Sequence, residues 1–226
     1  MTSLSLKAVI FDMDGILIDS EPMWQTAEYE VLTNLGLNLN HSDILQTTGL
    51  RIDQVVSYWY QNFPWDNYDN EQTSKLIVDQ VLKQILTSGR PMNGVIQALD
   101  FCRENGLKIG LTTSSSHAIV KATLAKLNIK HFFDSINSAE YLAFGKPHPE
   151  VYLNCAHDLN INPTQCIAIE DSLNGLIAAR AASMQTIAIP AIEQQHESKW
   201  IIAHKQLVSL TDLPKYLTDE LKLQGQ

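Results

Sequence analysis

The chain has 226 residues, enough for one α/β domain with a smaller insertion, and 45% of them are hydrophobic, as in ordinary globular proteins. Its 25 acidic side chains outnumber 16 Lys and Arg, which gives a net charge of −9 and excludes the clustered cations that nucleic-acid binding requires. No apolar run approaches the roughly 20 residues of a membrane span, and no signal peptide is recognised. We therefore expect a cytoplasmic protein with no nucleic-acid or membrane partner.

The first predicted element is a buried strand at residues 8–11, which ends in Asp12, Met13, Asp14 and Gly15. A short apolar run bounded by Gly is typical of a strand that is buried on both faces. On an extended chain Asp12 and Asp14 would point the same way, so their charges would repel without a cation or a shared proton. The pair indicates a metal, a phosphate partner or both, and ordinary turn acids are the alternative.

A helical block follows this strand and extends almost to Pro91. Three helices are predicted, at about 23–36, 52–60 and 71–86. Ser20 is the expected N-cap of the first helix. Such a long helical stretch after one buried strand indicates an inserted subdomain rather than a crossover helix. We expect a core domain of residues 1–17 and 90–226 and a helical cap domain of residues 18–89.

Helices and strands alternate in the rest of the chain. Strands are predicted at 107–113, 132–137, 166–171, 186–190 and 207–208. Helices are predicted at 95–105, from a cap at one of the serines 114–116 to about 127, and up to about 159. Repetition of strand, helix and strand is typical of an α/β fold. We therefore predict a doubly wound, Rossmann-like parallel sheet as the core, with the helical cap inserted into it.

Chemically active side chains follow several of these strands. Thr113 and Ser114 lie after the second strand, Glu170 and Asp171 end a later one, and Lys146 is in a loop between them. The carboxyl ends of parallel strands lie side by side, so these groups and the first acid pair can converge. Clustered carboxylates suit Mg²⁺, and hydroxyl groups at a helix start suit a phosphate. Helix capping by Thr113 and a solvated loop position for Lys146 are the alternatives.

Four motifs occur in the order found in the haloacid dehalogenase-like hydrolase superfamily. They are D-x-D-G at 12–15, the hydroxyl at 113, G-K-P-x-P at 145–149 and E-D-S at 170–172. The chain resembles this superfamily, and its helical block resembles the small cap of sugar-phosphate phosphatases, phosphoglycolate phosphatases and β-phosphoglucomutases. Residues 19–24, 49–53 and 146–149 are most similar to the bacterial hexitol and 2-deoxyglucose-6-phosphate phosphatases.

The resemblance implies a role for each motif residue. Asp12 would be the nucleophile that forms an aspartyl-phosphate, and Asp14 the acid that protonates the departing oxygen and then the base that activates water. Mg²⁺ would be bound by Asp12, by the backbone carbonyl of Asp14 and by Asp171. Glu170 would bind the metal directly or through water.

The remaining predicted site residues would bind substrate. The resemblance implies that Thr113, Ser114 and Lys146 hold the phosphoryl oxygens. Arg51, after Gly49 in a turn of the cap, either reaches the substrate or has a surface role. The implied activity is Mg²⁺-dependent hydrolysis of a small sugar phosphate or sugar-alcohol phosphate by a monomeric enzyme.

Other activities in the superfamily are alternatives. The phosphomutases carry a histidine ten residues after the second aspartate, where this chain has Trp24, which favours a phosphatase. Phosphoglycolate is another candidate substrate. The 2-haloacid dehalogenases lack the acid that Asp14 supplies, and a binding module with a decayed site would be expected to lose one of the motif residues.

Overall fold

The computed structural model describes residues 5–224, and its centre is a parallel sheet. The strands are β1 (Ala8–Phe11), β2 (Lys108–Thr113), β3 (Ser135–Ser138), β4 (Cys166–Glu170), β5 (Gln185–Ala188) and β6 (Lys205–Gln206). Their order is β3-β2-β1-β4-β5-β6, with every pair parallel. The predicted doubly wound α/β fold is confirmed. The strand order reverses between β1 and β4, which is where open α/β sheets bind their ligands.

Strand β1 is central because both of its faces are apolar. Val9 and Phe11 belong to the larger hydrophobic cluster, while Ala8 and Ile10 belong to a second cluster. Alternate residues of a strand face opposite sides of a sheet, so this pattern requires helices on both faces. The sheet therefore fixes the position of the residues that follow β1.

Nine helices surround or extend from this sheet in the described part of the chain. They are α1 (Glu21–Asn34), α2 (His41–Ile44), α3 (Ile52–Asn62), α4 (Asn70–Ser88), α5 (Val95–Glu104), α6 (His117–Leu127), α7 (Glu150–Asp158), α8 (Leu173–Ala181) and α9 (Leu213–Gln224). We call the segment from α1 through α4 the helical insert. Within residues 5–224, no helix is long and apolar enough to cross a membrane.

The helical insert has a small core of its own and also joins the main one. Its own cluster includes Leu32, Ile44 and Trp59. Ile77 and Val81 of α4 belong instead to the large cluster that contains Val9 and Phe11 of β1. Helix α4 packs against both α1 and α6. The insert is therefore held against the sheet by apolar contacts as well as by its two chain connections.

Three local predictions differ from the structure. Helix α2 was not predicted; Asn40 and Asp43 form a capping box that stabilises this single turn. The strand predicted at 132–137 begins only at Ser135, after a 3₁₀ turn at Lys130–Phe132. The last strand lies at Lys205–Gln206 rather than 207–208, because hydrogen bonding to β5, and not apolar character, defines this edge strand.

Candidate active site

One pocket at the carboxyl ends of β1, β2 and β4 collects most of the predicted site residues. It has a volume of about 70 Å³ and lies between the sheet and the helical insert. The predicted residues that line it are Asp12, Asp14, Thr113, Ser114, Lys146 and Asp171. Glu170 lies behind this lining, and Arg51 is turned elsewhere. Strand ends far apart in sequence thus meet as the parallel sheet requires.

Lys146 is buried between two carboxylates. Its side chain is 2% exposed, and its Nζ lies 2.6 Å from Asp12 Oδ1 and 2.6 Å from Glu170 Oε1. Tyr152 donates a 2.5 Å hydrogen bond from its hydroxyl to the same oxygen of Glu170. A buried charge is tolerated when it is paired and hydrogen-bonded in this way. Lys146 therefore fixes the Asp12 carboxylate at the pocket wall.

The pKa values of this cluster reflect burial and charge together. Burial alone would lower the pKa of Lys146, but the charges of Asp12 and Glu170 raise it well above 10.5. Burial raises the pKa of Asp12 well above 3.8, with Lys146 acting in the opposite direction. Burial and the charge of Glu170 raise the pKa of Tyr152 well above 10.0. The ammonium group of Lys146 thus remains charged. At Asp12, this single ammonium group does not offset the cost of burying the carboxylate.

The acids around Asp12 form an oxygen-rich group that fits a divalent cation. One carboxylate oxygen each from Asp12, Glu170 and Asp171 lie within 4.8 Å of one another. Burial, followed by the charge of Asp12, raises the pKa of Asp171 well above 3.8, so this group has excess negative charge. Gly15 has φ +70°, and a Cβ there would lie 2.0 Å from Asp171 Oδ2. Only Gly leaves room for that carboxylate, and the donor set suits Mg²⁺.

Glu170 differs in its environment from the other two acids. Its side chain is fully buried, and Oε1 already accepts hydrogen bonds from Lys146 and Tyr152. Its Oε2 accepts a 3.0 Å bond from Ser172 Oγ, and Ser172 in turn caps α8 through Gly175 N. Glu170 is predicted above as a direct or water-mediated ligand. Its observed hydrogen bonds make it a counter-ion of Lys146 as well, and its role toward a metal stays a prediction.

The Asp14 carboxylate has other partners than that of Asp12, although both side chains line the pocket and the charge of Asp14 helps to raise the pKa of Asp12. The backbone turns immediately after β1, with Gly15 N donating to Ile18 O at 3.0 Å. Two donors reach Asp14 Oδ1: Ser20 Oγ at 2.6 Å and Trp24 Nε1 at 3.0 Å. The pair therefore separates into two environments, one beside Lys146 and one beside hydroxyl and indole donors.

The other Asp14 oxygen is bound from the sheet side. Ser115 Oγ donates to Oδ2 at 2.7 Å, and Thr113 Oγ1 lies 3.4 Å from it. Ser20 is at the predicted N-cap position of α1, but its side chain makes no capping bond because its hydroxyl donates to Asp14. Trp24 was noted as the residue at the position of the phosphomutase histidine, and its hydrogen bond to Asp14 was not predicted.

Ser114 leaves a hydrogen-bonding group open in this pocket. Its Oγ is buried without a hydrogen-bond partner in the described residues. Leaving a buried polar group unpaired costs about 1–3 kcal/mol. Thr113 Oγ1, in contrast, accepts a 3.0 Å bond from Ser115 N. A phosphate oxygen next to Asp12 would supply the acceptor that Ser114 lacks.

Arg51 does not line the pocket, so the expectation that it reaches substrate is not met by this arrangement. Its guanidinium forms a double contact with Asp53, at 2.6 Å from Nε and 2.9 Å from a terminal nitrogen. The other terminal nitrogen donates to the carbonyls of Ala139 and Leu142 at 2.9 and 2.6 Å. Asp53 raises the pKa of Arg51. The planar guanidinium group has enough donors to make all of these hydrogen bonds, and it thereby links the helical insert to the loop after β3.

The helical insert contributes polar residues that the sequence analysis did not single out. Glu21, Gln25 and Glu28 of α1, together with Thr47, line the pocket opposite the sheet. Burial and the charge of Asp14 raise the pKa of Glu21 to about 7. Burial and the charge of Glu21 raise the pKa of Glu28 to about 8. Their spacing places them on one helix face, but such a polar stripe usually faces solvent and gives no signal of a site.

Comparison with known proteins first identifies the class of enzyme. The sequence profile of haloacid dehalogenase-like hydrolases matches residues 9–189. The chain therefore belongs to the haloacid dehalogenase-like hydrolase family, and the resemblance drawn from the motifs is confirmed.

Individual relatives narrow this class to phosphatases. Hexitol phosphatase B of Escherichia coli K12 is 39% identical over 213 residues, covering 94% of this chain and 96% of that protein. A fructose-1-phosphate phosphatase of the same strain is 32% identical over 184 residues, covering 80% and 95%. The solved structure of β-phosphoglucomutase from Clostridium difficile has a TM-score of 0.81 at 24% identity, covering 96% and 98%. The last likeness concerns the fold, while the first two indicate that this enzyme is a phosphatase.

Proposed function

We propose that this enzyme is a Mg²⁺-dependent phosphatase that hydrolyses a small sugar phosphate or sugar-alcohol phosphate. The names of its relatives support this substrate class. The observation that carries the proposal is the separation of the two aspartates. Asp12 lies against Lys146, while Asp14 lies against four neutral donors, so one suits attack on phosphorus and the other suits proton transfer.

The reaction would begin at Asp12. Its carboxylate would attack phosphorus in line, forming the O–P bond of an aspartyl-phosphate as the bond to the leaving oxygen breaks. Lys146 would hold the attacking carboxylate, and Ser114 Oγ would donate to a phosphoryl oxygen. When bound at Asp12, Asp171 and the Asp14 backbone carbonyl, Mg²⁺ supplies positive charge that offsets the repulsion between carboxylate and phosphate.

Proton transfer would fall to Asp14. Its carboxyl group would protonate the departing alcohol oxygen and then, as the carboxylate, accept a proton from the water that attacks the aspartyl-phosphate. Water attack breaks the bond between phosphorus and Asp12 and releases inorganic phosphate. Ser20, Trp24 and Ser115 would keep Asp14 in one orientation through both steps.

The helical insert would act as a cap over this reaction. We propose residues 18–89 as the cap domain and residues 1–17 and 90–226 as the core domain. The apolar contacts of α4 and the hydrogen bonds from Arg51 to the loop after β3 support a closed position of the cap. A closed cap would exclude bulk water from the bound substrate while its phosphoryl group is transferred to Asp12.

Trp24 favours hydrolysis over phosphate return to a second sugar. An indole N–H donates a hydrogen bond but does not titrate in the working pH range, so Trp24 can orient Asp14 without exchanging its proton. A mutase needs closely timed proton exchange at this position, because its aspartyl-phosphate has to survive until a sugar hydroxyl attacks. Phosphatase activity is therefore the better supported function.

A product-resolved substrate screen tests the proposal. The enzyme is incubated with Mg²⁺ and hexose 6-phosphates, hexitol phosphates, fructose 1-phosphate, phosphoglycolate or β-glucose 1-phosphate, with and without EDTA. We expect free phosphate from the sugar and hexitol esters, and no turnover in EDTA until Mg²⁺ is restored. Conversion of β-glucose 1-phosphate mainly to glucose 6-phosphate would establish the mutase alternative. Full activity in EDTA would contradict the metal assignment.

A further inference from the structure

The pocket wall formed by the helical insert contains a buried acid without a counter-ion. Glu28 is 7% exposed, and Thr47, itself 1% exposed, is its hydrogen-bond donor, with Oγ1 at 3.3 Å from Glu28 Oε2. The same hydroxyl is 3.0 Å from the carbonyl of Ile44, so it is shared between two acceptors. Glu28 forms no ion pair within residues 5–224, and its other oxygen accepts no hydrogen bond there.

No positive charge is free to face this wall. Among the described residues that line the pocket, Lys146 is the only cation, and Asp12 and Glu170 already occupy its ammonium group. Arg51, the predicted substrate-binding residue of the helical insert, is bound to Asp53 outside the pocket. An anionic group in the half of the pocket next to the insert would therefore be desolvated without a partner.

The remaining chemistry of the wall suits a hydroxylated carbon chain. With a pKa near 8, the Glu28 carboxyl is mainly protonated at neutral pH and can both donate and accept hydrogen bonds. Gln25 adds an amide with the same ability. Ile44, Leu50 and Val55 line the same pocket and offer apolar contacts for C–H groups. A polyol has this combination of hydroxyl and C–H surface.

We propose that Glu28 is a specificity-determining residue that hydrogen-bonds hydroxyl groups of the leaving group. The pocket wall around it thereby selects phosphate monoesters with an uncharged, polyhydroxylated leaving group against esters whose leaving group carries a second anionic group. This inference rests on the proposed phosphatase function. It goes further by assigning selection to the helical insert and by predicting which substrates are rejected. The phosphate end is bound by the core domain in every case.

Two substrates that differ at one carbon test the selection. Sorbitol 6-phosphate and 6-phosphogluconate have the same chain, but the terminal hydroxymethyl group of the first is a carboxylate in the second. We expect kcat/KM to be about 100-fold higher for sorbitol 6-phosphate, because the site can pair a hydroxyl but not the carboxylate. p-Nitrophenyl phosphate, which has no hydroxyl groups, reports phosphoryl transfer independently of this wall.

Variants of Glu28 test its part in that selection. For Glu28→Leu we expect the ratio of kcat/KM for sorbitol 6-phosphate to that for p-nitrophenyl phosphate to fall about 10-fold to 100-fold, because a bound hydroxyl loses its partner. Glu28→Gln keeps a neutral hydrogen-bonding group and should restore the ratio to within about threefold of the original. Glu30→Leu and Glu30→Gln, at an exposed acid of the same helix, are the matched controls.

The outcomes separate the inference from the function on which it rests. Absence of Mg²⁺-dependent hydrolysis of both p-nitrophenyl phosphate and sorbitol 6-phosphate overturns the proposed function and the inference together. Hydrolysis of 6-phosphogluconate as efficiently as sorbitol 6-phosphate overturns the inference alone. The Glu28→Leu variant is checked for folding by circular dichroism. If it is folded and its ratio of kcat/KM for sorbitol 6-phosphate to that for p-nitrophenyl phosphate is unchanged, Glu28 does not select the substrate.

Discussion

The two walls of the pocket hold acidic groups in opposite ways. On the sheet side, Asp12 and Glu170 share the buried ammonium group of Lys146 at 2.6 Å each. On the insert side, Glu21 and Glu28 form no ion pair within the described residues, and burial raises their pKa values to about 7 and about 8, as it also raises that of Asp12. Charged, paired groups suit the transfer of an anionic phosphoryl group, whereas neutral acids suit hydroxyl groups. We propose from this difference that the reaction takes place on the sheet side and that the helical insert selects the substrate.

The largest effect is expected on the sheet side. Asp12→Asn removes the carboxylate nucleophile but keeps its size, so kcat should fall at least about 10⁴-fold with any substrate. Activity is measured with p-nitrophenyl phosphate and Mg²⁺, and folding is checked by thermal melting. Turnover near the original level in a preparation free of wild-type enzyme would remove Asp12 as nucleophile.

Removing the shared cation should mainly affect stability. Lys146→Met leaves Asp12 and Glu170 buried without their partner, which should lower the free energy of unfolding by about 3–5 kcal/mol. Urea unfolding at pH 7 measures this loss, with Lys199→Met at a partly exposed lysine as control. Adding Glu170→Gln to Lys146→Met should recover part of it. A loss below about 1 kcal/mol would mean that the pair is not a structural ion pair.

The insert side should respond in the opposite direction. The pKa of Glu28 is about 8 when folded, against 4.5 for the unfolded group. Between these values the folded state binds more protons, so its stability falls as the pH rises from 4.5 to 8. Glu28→Gln has no carboxyl group at this position to ionise, so its stability does not fall in this way. The variant should be more stable than wild type by roughly 2–4 kcal/mol at pH 8 and by much less at pH 5.

Urea unfolding at pH 5 and pH 8 tests this difference. Glu30→Gln is again the control, because the exposed Glu30 should give no such pH dependence. The comparison between variant and wild type cancels the contribution of Glu21, which is present in both. A Glu28→Gln variant that is equally less stable at both pH values would show that the carboxyl is not held protonated.

A smaller effect, on kcat, is expected for Trp24, which contacts Asp14 from the helical insert. Trp24→Phe keeps an aromatic ring but removes the N–H that reaches Asp14 Oδ1, so kcat should fall about tenfold with little change in KM. Tyr58→Phe, whose hydroxyl bonds to Gln46 in the insert, is a control for general loss of a polar group. A rise in KM at constant kcat would instead indicate that Trp24 contacts substrate.

The parts of this molecule that could be predicted from sequence depend on local patterns. Strand β1 and the acids after it were predictable because an apolar run ends abruptly in a motif whose partners recur in order along the chain. The proximity of Lys146 and Asp171 followed from parallel-sheet geometry. The partners of Asp14 did not follow, because Ser20, Trp24 and Ser115 reach it from elements whose relative positions no local pattern gives.

The contacts made by the helical insert could not be predicted from local sequence patterns. Whether Glu28 faces solvent or pocket depends on how α1 is rotated against α4 and the sheet, and its sequence neighbours allow either orientation. The choice of Arg51 between substrate and structure was open for a similar reason, since its long side chain can reach either. Only the three-dimensional position of Ala139 and Leu142 decides it.

The partners of Arg51 have an evolutionary consequence. Apart from Asp53, it binds carbonyl oxygens of the main chain, which every amino acid provides. The exposed side chain of Tyr141 can therefore change without loss of this contact, provided that the loop keeps its path, whereas Ala139 is buried in the second hydrophobic cluster. Only positions 51 and 53 contribute side chains to the contact itself. Enzymes with this arrangement could diversify the loop while the insert continues to dock in the same orientation.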